Sequence, residues 1–288
     1  MYGAIEAGGT KFVLAVGNEK GDILDKQVIP TEHPTITIPK VINFFKNKGI
    51  KKLGLGSFGP IDINEESNTY GQLQKTPKND WVDYPLGETI KIALNVPIKI
   101  DTDVNVAAMA EAKWGNAIDV NTCFYMTVGT GIGAGAYVHG QTLKGLSHPE
   151  MGHIKVRRHP EDTYVGSCPY HKDCLEGIAS GPSLEKRWGK KGNELANDTK
   201  VWEIEAYYLA QALTNYIYIL SPERIIIGGG VMNQQQLLPL IRKRVIEMLN
   251  GYVSSPYLTG KEIDQYIVSP GLTDEAGIKG ALYLAINS

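Results

Sequence analysis

Cysteine is scarce, with three in 288 residues, which is too few for a disulfide framework. The chain has no stretch of 18 uninterrupted apolar residues, and its opening, MYGAIEAGG, lacks the basic start and apolar run of a secretory leader. No membrane association is therefore expected, and the setting expected is cytoplasmic, where thiols stay reduced. Positive charge is not in excess: 29 Lys and Arg stand against 31 Asp and Glu. With no basic arm and no recognition-helix module, nucleic acid is excluded as the expected partner. Two phosphate-binding signatures are also missing. Neither G-x4-G-K-[ST] nor a strand-to-helix G-x-G-x-x-G occurs, so P-loop and Rossmann chemistry fall away. What remains is an ordinary soluble composition, 42% hydrophobic and 21% charged, in a chain long enough for two lobes with separate cores.

The chain opens with an apolar strand Tyr2 to Ala7, a glycine turn Gly8-Gly9-Thr10-Lys11, and a returning strand Phe12 to Val16. A third strand, Ile23 to Ile29, follows Gly21-Asp22. A helix is expected over Ile38 to Asn47, stopped at Gly49, and a strand over Leu53 to Phe58. Residues 64–85 read as an irregular excursion. Then come a helix Leu86 to Asn95, a strand Ile98 to Ile100, and a helix opened by Asp101-Thr102-Asp103-Val104-Asn105 and running to Trp114. A second strand, turn and strand, Thr122 to Val138 with glycines at 129, 131, 133 and 135, repeats the opening design. Cys123 within it is a small core residue. A buried helix Thr199 to Leu220, a strand Arg224 to Ile227, Gly228-Gly229-Gly230, a helix Asn233 to Leu249, a strand Tyr266 to Val268 and a helix Glu275 to Ile286 complete the chain. Two glycine-turned hairpins, each followed by alternating helices and strands, imply a duplicated α/β architecture with a cleft between the halves. The lobes expected are residues 1–117, completed by the last helix at 275–288, and residues 118–274.

The densest chemistry lies between His148 and Glu176, which holds two cysteines and four histidines. Cys168, His171 and Cys174 form C-x2-H-x2-C, with His153 upstream. Two thiolates and two imidazoles suit tetrahedral zinc, and a closed set of that kind orders a loop rather than performing chemistry. A Cys168 to Cys174 disulfide, or two unrelated thiols, are the alternatives. Glycine turns let backbone N–H groups approach anionic oxygens, so the two hairpins could cradle a polyphosphate, although a glycine hairpin often does no more than turn the chain. The carboxylates of Asp101 and Asp103 fit either an N-cap or a base.

In combination these features are specific. Val128-Gly129-Thr130-Gly131-Ile132-Gly133-Ala134-Gly135-Ala136, followed by Gly145, Pro149 and Gly152-His153, resembles the signature of the ROK family of sugar kinases and sugar-sensing repressors. Glu6-Ala7-Gly8-Gly9-Thr10-Lys11, Asp103-Val104-Asn105, Cys174-Leu175-Glu176 and Gly228-Gly229-Gly230-Val231 agree with it across nearly the whole chain. The resemblance implies a two-lobed, duplicated α/β fold similar to actin and hexokinase (ribonuclease H-like), with ATP and sugar in the interlobe cleft. It implies Asp103 as general base toward the sugar hydroxyl. The sugar ligands it implies are Asn105, Glu150, His153 and Glu176, and the phosphate contacts are Gly9, Thr10, Lys11, Thr130 and Gly131. Adenosine would lie near Gly229 and Gly230, with Mg²⁺ arriving on ATP beside Glu6 or Asp103. Zinc on His153, Cys168, His171 and Cys174 would hold His153 in place while its neighbours bind hydroxyls. A homodimer is expected, since relatives are commonly dimers.

The chain departs from the family pattern in three places. Glu6 stands where many relatives have Asp, and Cys168-Pro169-Tyr170-His171-Lys172-Asp173-Cys174 replaces the usual C-x-C-G-x2-G-C. His148-Pro149-Glu150-Met151-Gly152-His153 replaces G-E-x-G-H. These variants look like the bacterial, zinc-containing fructokinase branch. The activity implied is ATP-dependent phosphorylation of fructose at its 6-hydroxyl, with mannose a plausible secondary substrate. A glucokinase or mannokinase of the same fold, or a non-catalytic sugar sensor, are the alternatives. The sensor is disfavoured because Glu6 already lies in the first hairpin, where family repressors carry an N-terminal DNA-binding extension.

Overall fold

A computed structural model describes the backbone of residues 1–288 and every side chain except that of Lys261. Among the described residues the strands are β1 (Tyr2–Ala7), β2 (Lys11–Gly17), β3 (Ile23–Pro30), β4 (Leu53–Ser57), β5 (Ile98–Thr102), β6 (Thr122–Val128), β7 (Ile132–Val138), β8 (Gln141–Thr142), β9 (Arg224–Gly228) and β10 (Ile267–Val268). The α-helices are α1 (Pro34–Phe45), α2 (Leu86–Leu94), α3 (Asp103–Trp114), α4 (Leu175–Ala179), α5 (Gly181–Trp188), α6 (Thr199–Leu220), α7 (Leu237–Leu249), α8 (Ile263–Tyr266) and α9 (Ala276–Ile286). The chain divides into two compact units. The first comprises Met1–Ile118, Gln141–Pro149 and Gly271–Ser288, and the second comprises Asp119–Gly140 and Glu150–Pro270. No helix among the described residues is long and apolar enough to cross a membrane.

The duplication is written in the strand pairing. In the first unit β1 runs antiparallel to β2 and parallel to β4, which is parallel to β5, giving the order β3-β2-β1-β4-β5. The second unit repeats the scheme, with β6 antiparallel to β7 and parallel to β9, and β9 parallel to β10. The central strands read as they do because their residues are buried on both faces: Ile5, Leu14 and Leu55 are fully shielded in one sheet, and Phe124, Ile225 and Ile226 in the other. Residues 64–85 stay irregular apart from a 3₁₀ turn at Asn79–Trp81. Trp81 anchors the excursion, with its ring centroid 5.5 Å from Phe12, 6.0 Å from Phe58 and 5.4 Å from Tyr84, and its indole N–H donating to the Glu32 carbonyl at 3.0 Å.

Four features differ from the sequence reading. Helix α1 begins at Pro34 rather than Ile38, because the His33 side chain accepts the Thr35 N–H and proline suits the first helical turn. After the Gly229 turn the chain makes a 3₁₀ turn at Gly230–Asn233 before α7 starts at Leu237. Helices α4 and α5 were not expected, being short and glycine-flanked. The residues 141–149 and 271–274, expected in the second lobe, sit with the first unit. Thr142 Oγ1 donates to Asp101 Oδ2 at 2.8 Å, and the Ile61 N–H donates to His148 Nε2 at 3.2 Å. The N–H groups of Gly271 and Leu272 donate to the buried Glu111 carboxylate at 3.0 and 2.9 Å.

Helix α9 packs on the first sheet through Ile278, Ala281 and Leu282, which meet Ala4, Val13 and Ala15. Its approach to α3 requires a bare backbone, since a Cβ at Gly280 would stand 1.8 Å from the Val106 carbonyl oxygen. Gly280→Ala should therefore destabilise the protein by about 1–3 kcal/mol, the usual range for overpacking. Urea titration should show a lower midpoint at unchanged slope, and a midpoint equal to that of the wild type would refute the close contact.

Candidate functional site

In the first unit the parallel strands bring two expected elements to one end of the sheet. Ala7, Ser57 and Thr102 are in register across β1, β4 and β5, so the turn after β1 and Asp103 after β5 are two strand spacings apart, roughly 10 Å. The Gly8 N–H donates to the Lys11 carbonyl at 2.9 Å, and Thr31 reinforces the turn by donating to Gly8 O from its hydroxyl and to Thr10 O from its N–H. Glu6, half-buried at the end of β1, has one carboxylate oxygen shut off from solvent with no hydrogen-bond partner. Burial pushes its pKa up, and Lys11 and Lys26 pull against that shift.

The carboxylates at the start of α3 are not the cap. Thr102 is the N-cap, its hydroxyl accepting the Asn105 N–H at 3.2 Å. Asp101 is committed elsewhere: its Oδ1 accepts the Thr102 N–H and the Asn105 side-chain amide, and its Oδ2 accepts the Thr142 hydroxyl. Asp103 is half-buried in the first turn, with Oδ1 accepting the Val104 N–H at 2.9 Å, where the helix dipole favours a carboxylate. Asn105, an expected sugar ligand, is turned inward at 1% exposure and holds Asp101 at 2.6 Å. Its role in these contacts is to position the segment.

In the second unit Gly129 donates to the Gly131 carbonyl at 2.9 Å, and the Gly181 N–H caps the Gly129 carbonyl at 2.8 Å. The next strand turns back beside it. Gly229 lies at φ +95°, and a Cβ there would stand 2.5 Å from the Val128 carbonyl oxygen, so only glycine fits. The result is a cavity of about 460 Å³ bordered by Gly129, Thr130, Gly181, Trp202, Gly230 and Val231. Thr130 and Gly230, two of the expected nucleotide contacts, border this space, and Gly131 and Gly229 adjoin them in sequence. Glu176, expected to bind sugar, accepts the Ile132 N–H at 3.0 Å and so also supports the glycine turn.

The four expected metal ligands converge. One donor atom from each of His153, Cys168, His171 and Cys174 lies within 4.8 Å of the others. His153 Nδ1 is 3.4 Å from Cys174 Sγ and 3.9 Å from Cys168 Sγ, and His171 Nδ1 is 3.7 Å from Cys168 Sγ. Tetrahedral zinc, with Zn–S near 2.3 Å and Zn–N near 2.0 Å, sets its ligand atoms roughly 3.3–3.8 Å apart, so the residues fit the ion. The two cysteines are not bonded to each other. A tight turn with reciprocal Cys168 and Lys172 backbone hydrogen bonds presents the set, and Leu175 N–H to Ile154 O ties its far end. Burial pushes the Cys174 thiol up to about 11, with Cys168 adding to the rise, so ion binding must displace protons there. His153 spends Nδ1 on the cluster and leaves Nε2 4.0 Å from Glu150 Oε2, so metal and carboxylate share one ring.

Sequence reasoning missed the cap at Thr102, the Asp101–Thr142 bond and the apolar cavity wall. A threonine two residues after the last apolar strand residue and three before Asn105 was a legible cap signal. The bond to Thr142 spans 41 positions and has no local signature.

A model of the ROK family matches residues 2–288. A protein of Bacillus subtilis (strain 168) is 52% identical over 285 residues, covering 99% of this chain and 95% of its own. The fructokinase of Pediococcus pentosaceus is 44% identical over 285 residues, with 99% and 97% covered. Among solved structures, the ROK hexokinase of Thermus thermophilus superposes with a TM-score of 0.77 at 25% identity, covering 99% of this chain and 97% of that one.

Because Cys174 is buried and the cluster closes the loop from Glu150 to Glu176, Cys174→Ser should lose tightly bound zinc and lower the melting temperature. Metal analysis of the purified variant checks this, and a zinc content equal to that of the wild type would overturn the ligand set.

Proposed function

The chain belongs to the ROK family, and from that premise we infer that it is an ATP-dependent fructokinase, moving the γ-phosphoryl group of MgATP to the 6-hydroxyl of D-fructose. The observation that carries the reading is similarity along the full chain to fructokinases well above the identity at which fold alone is shared. Phosphoryl transfer asks for positioning and charge stabilisation more than covalent chemistry, with one carboxylate to take the hydroxyl proton. Asp103 is that base. The reading is supported by the place of Asp103, half-buried in the first turn of α3 at the sheet end that carries the turn after β1.

The backbone of Gly9, Thr10, Thr130 and Gly131, with the Lys11 ammonium, binds the phosphates, and adenosine occupies the cavity beside Gly229 and Gly230. Mg²⁺ enters with ATP, held mostly by phosphate and water, with Glu6 or Asp103 as its acidic neighbour. Glu150, His153 through Nε2, and Glu176 meet the sugar hydroxyls. Zinc, when bound by four protein ligands, supplies a cross-link that fixes the His153 ring. The protein works in the cytoplasm as a homodimer. The second unit offers apolar surface for self-association in Ile219, 74% exposed, beside Tyr218 and the Tyr252 ring it contacts.

Asp103→Asn should lower kcat with fructose by about 10²–10⁴-fold, the usual worth of general-base catalysis. Fructose binding by calorimetry should persist. Wild-type turnover in that variant would refute the assigned base, and absence of fructose-dependent ADP release from the unaltered protein would refute the activity.

A further inference from the structure

We propose that the donor site accepts purine nucleoside triphosphates broadly, so that GTP and ITP phosphorylate fructose as ATP does. This rests on the reading of the second unit's cavity as the nucleotide site. Strong discrimination between bases needs buried, fixed donors or acceptors that the wrong base leaves unpaired, and such sites reject an analogue by roughly 10⁴–10⁵-fold. Pockets that read shape and apolar contact alone discriminate by only about 10–200-fold.

The side chains of the cavity are of the second kind. Its buried side chains are Leu184, Trp202 and Val231, at 0, 1 and 8% exposure. The single polar atom among them, the indole N–H of Trp202, is already used, donating to the Leu195 carbonyl at 2.8 Å. Trp202 therefore presents only carbon. The polar side chains at the cavity lie at its wet rim. Thr130, Asn193 and Asn233 are exposed and Gln234 is half-buried. A side-chain amide carries both a carbonyl and an NH₂, and rotation offers either to a base edge, so it serves the amino group of adenine and the carbonyl of guanine or hypoxanthine alike. Glu185 and Lys191, also on the rim, are exposed long chains that water screens. The backbone N–H groups of Lys191 and Gln234 are occupied, by Glu194 Oε2 and the Val231 carbonyl. Adenine, guanine and hypoxanthine share one bicyclic outline, and a wall of this kind holds all three by the same apolar contact. Pyrimidines bury less of it.

The test is steady-state kinetics on the purified full-length enzyme at saturating fructose, with the Mg²⁺ complexes of ATP, GTP, ITP and CTP each varied. The expected kcat/KM for GTP and ITP lies within about tenfold of that for ATP, with CTP lowest, and any purine ratio under about 200-fold stays within what shape alone gives. A GTP value more than about 200-fold below ATP would overturn the proposal by requiring a fixed polar readout. Gln234→Ala and Asn193→Ala should each leave the ATP-to-GTP ratio within about threefold of the wild-type value, because an amide that serves either base confers little preference. A shift beyond about tenfold would show that an amide reads the base, which also overturns it. If ATP itself supports no fructose-dependent turnover, the fructokinase reading fails. If ATP is used and GTP is not, only the present inference fails.

Discussion

Two thiols and two imidazoles brought within 4.8 Å of one another are the constraint on which the loop from Glu150 to Glu176 depends. The segment carrying them has little regular structure of its own, only a three-residue 3₁₀ turn at Met151–His153 and isolated bridges such as Lys155 with Cys174. Ordering such a stretch costs roughly 1–2 kcal/mol of backbone entropy per residue, which few of its own apolar contacts offset. A metal held by His153 and Cys174 would join its two ends, and the His153 ring faces Glu150 with its other nitrogen. The cluster and the Glu150 carboxylate thus meet at one imidazole. Immediately after Cys174, Leu175 opens α4, whose Glu176 reaches the N–H of Ile132 behind the second glycine turn. The Cys/His loop, α4 and the glycine turn of the second unit are therefore mechanically continuous.

The two units solve one problem twice. Each places a glycine turn between antiparallel strands and lays a parallel strand beside the first of them. The first unit adds Asp103 after a second parallel strand, at the sheet end that carries the turn. The second adds Gly229 and the cavity beyond it. The copies differ in what surrounds this frame: a capped helix with a carboxylate in its first turn in the first unit, an apolar cavity wall and a Cys/His loop in the second.

Much of this was legible in the chain. The alternation from strand to turn to strand, the runs of buried aliphatics and the C-x2-H-x2-C spacing are local signals, and local signals survive in a linear text. Part of what escaped was set by contacts distant in sequence. Residues 141–149 join the first unit because Thr142 meets Asp101 and His148 meets the Ile61 N–H, pairs separated by 41 and 87 positions. Asn105, which follows Asp103 at the motif spacing, turns its amide to Asp101 one helical turn back. The start of α1 was misplaced for a local reason, since histidine is an uncommon cap and only Pro34 hinted at the true start.

The most direct test of the central dependence is removal of zinc from the wild-type enzyme by a chelator, with circular dichroism confirming that the protein stays folded, followed by kinetics with each substrate varied. The KM for fructose should rise by tenfold or more, on the order expected when a metal no longer orients its ligands, while the KM for ATP changes little, and added zinc should restore the original value. An unchanged KM for fructose in metal-free, folded enzyme, or an equal rise for both substrates, would contradict the role given to the cluster.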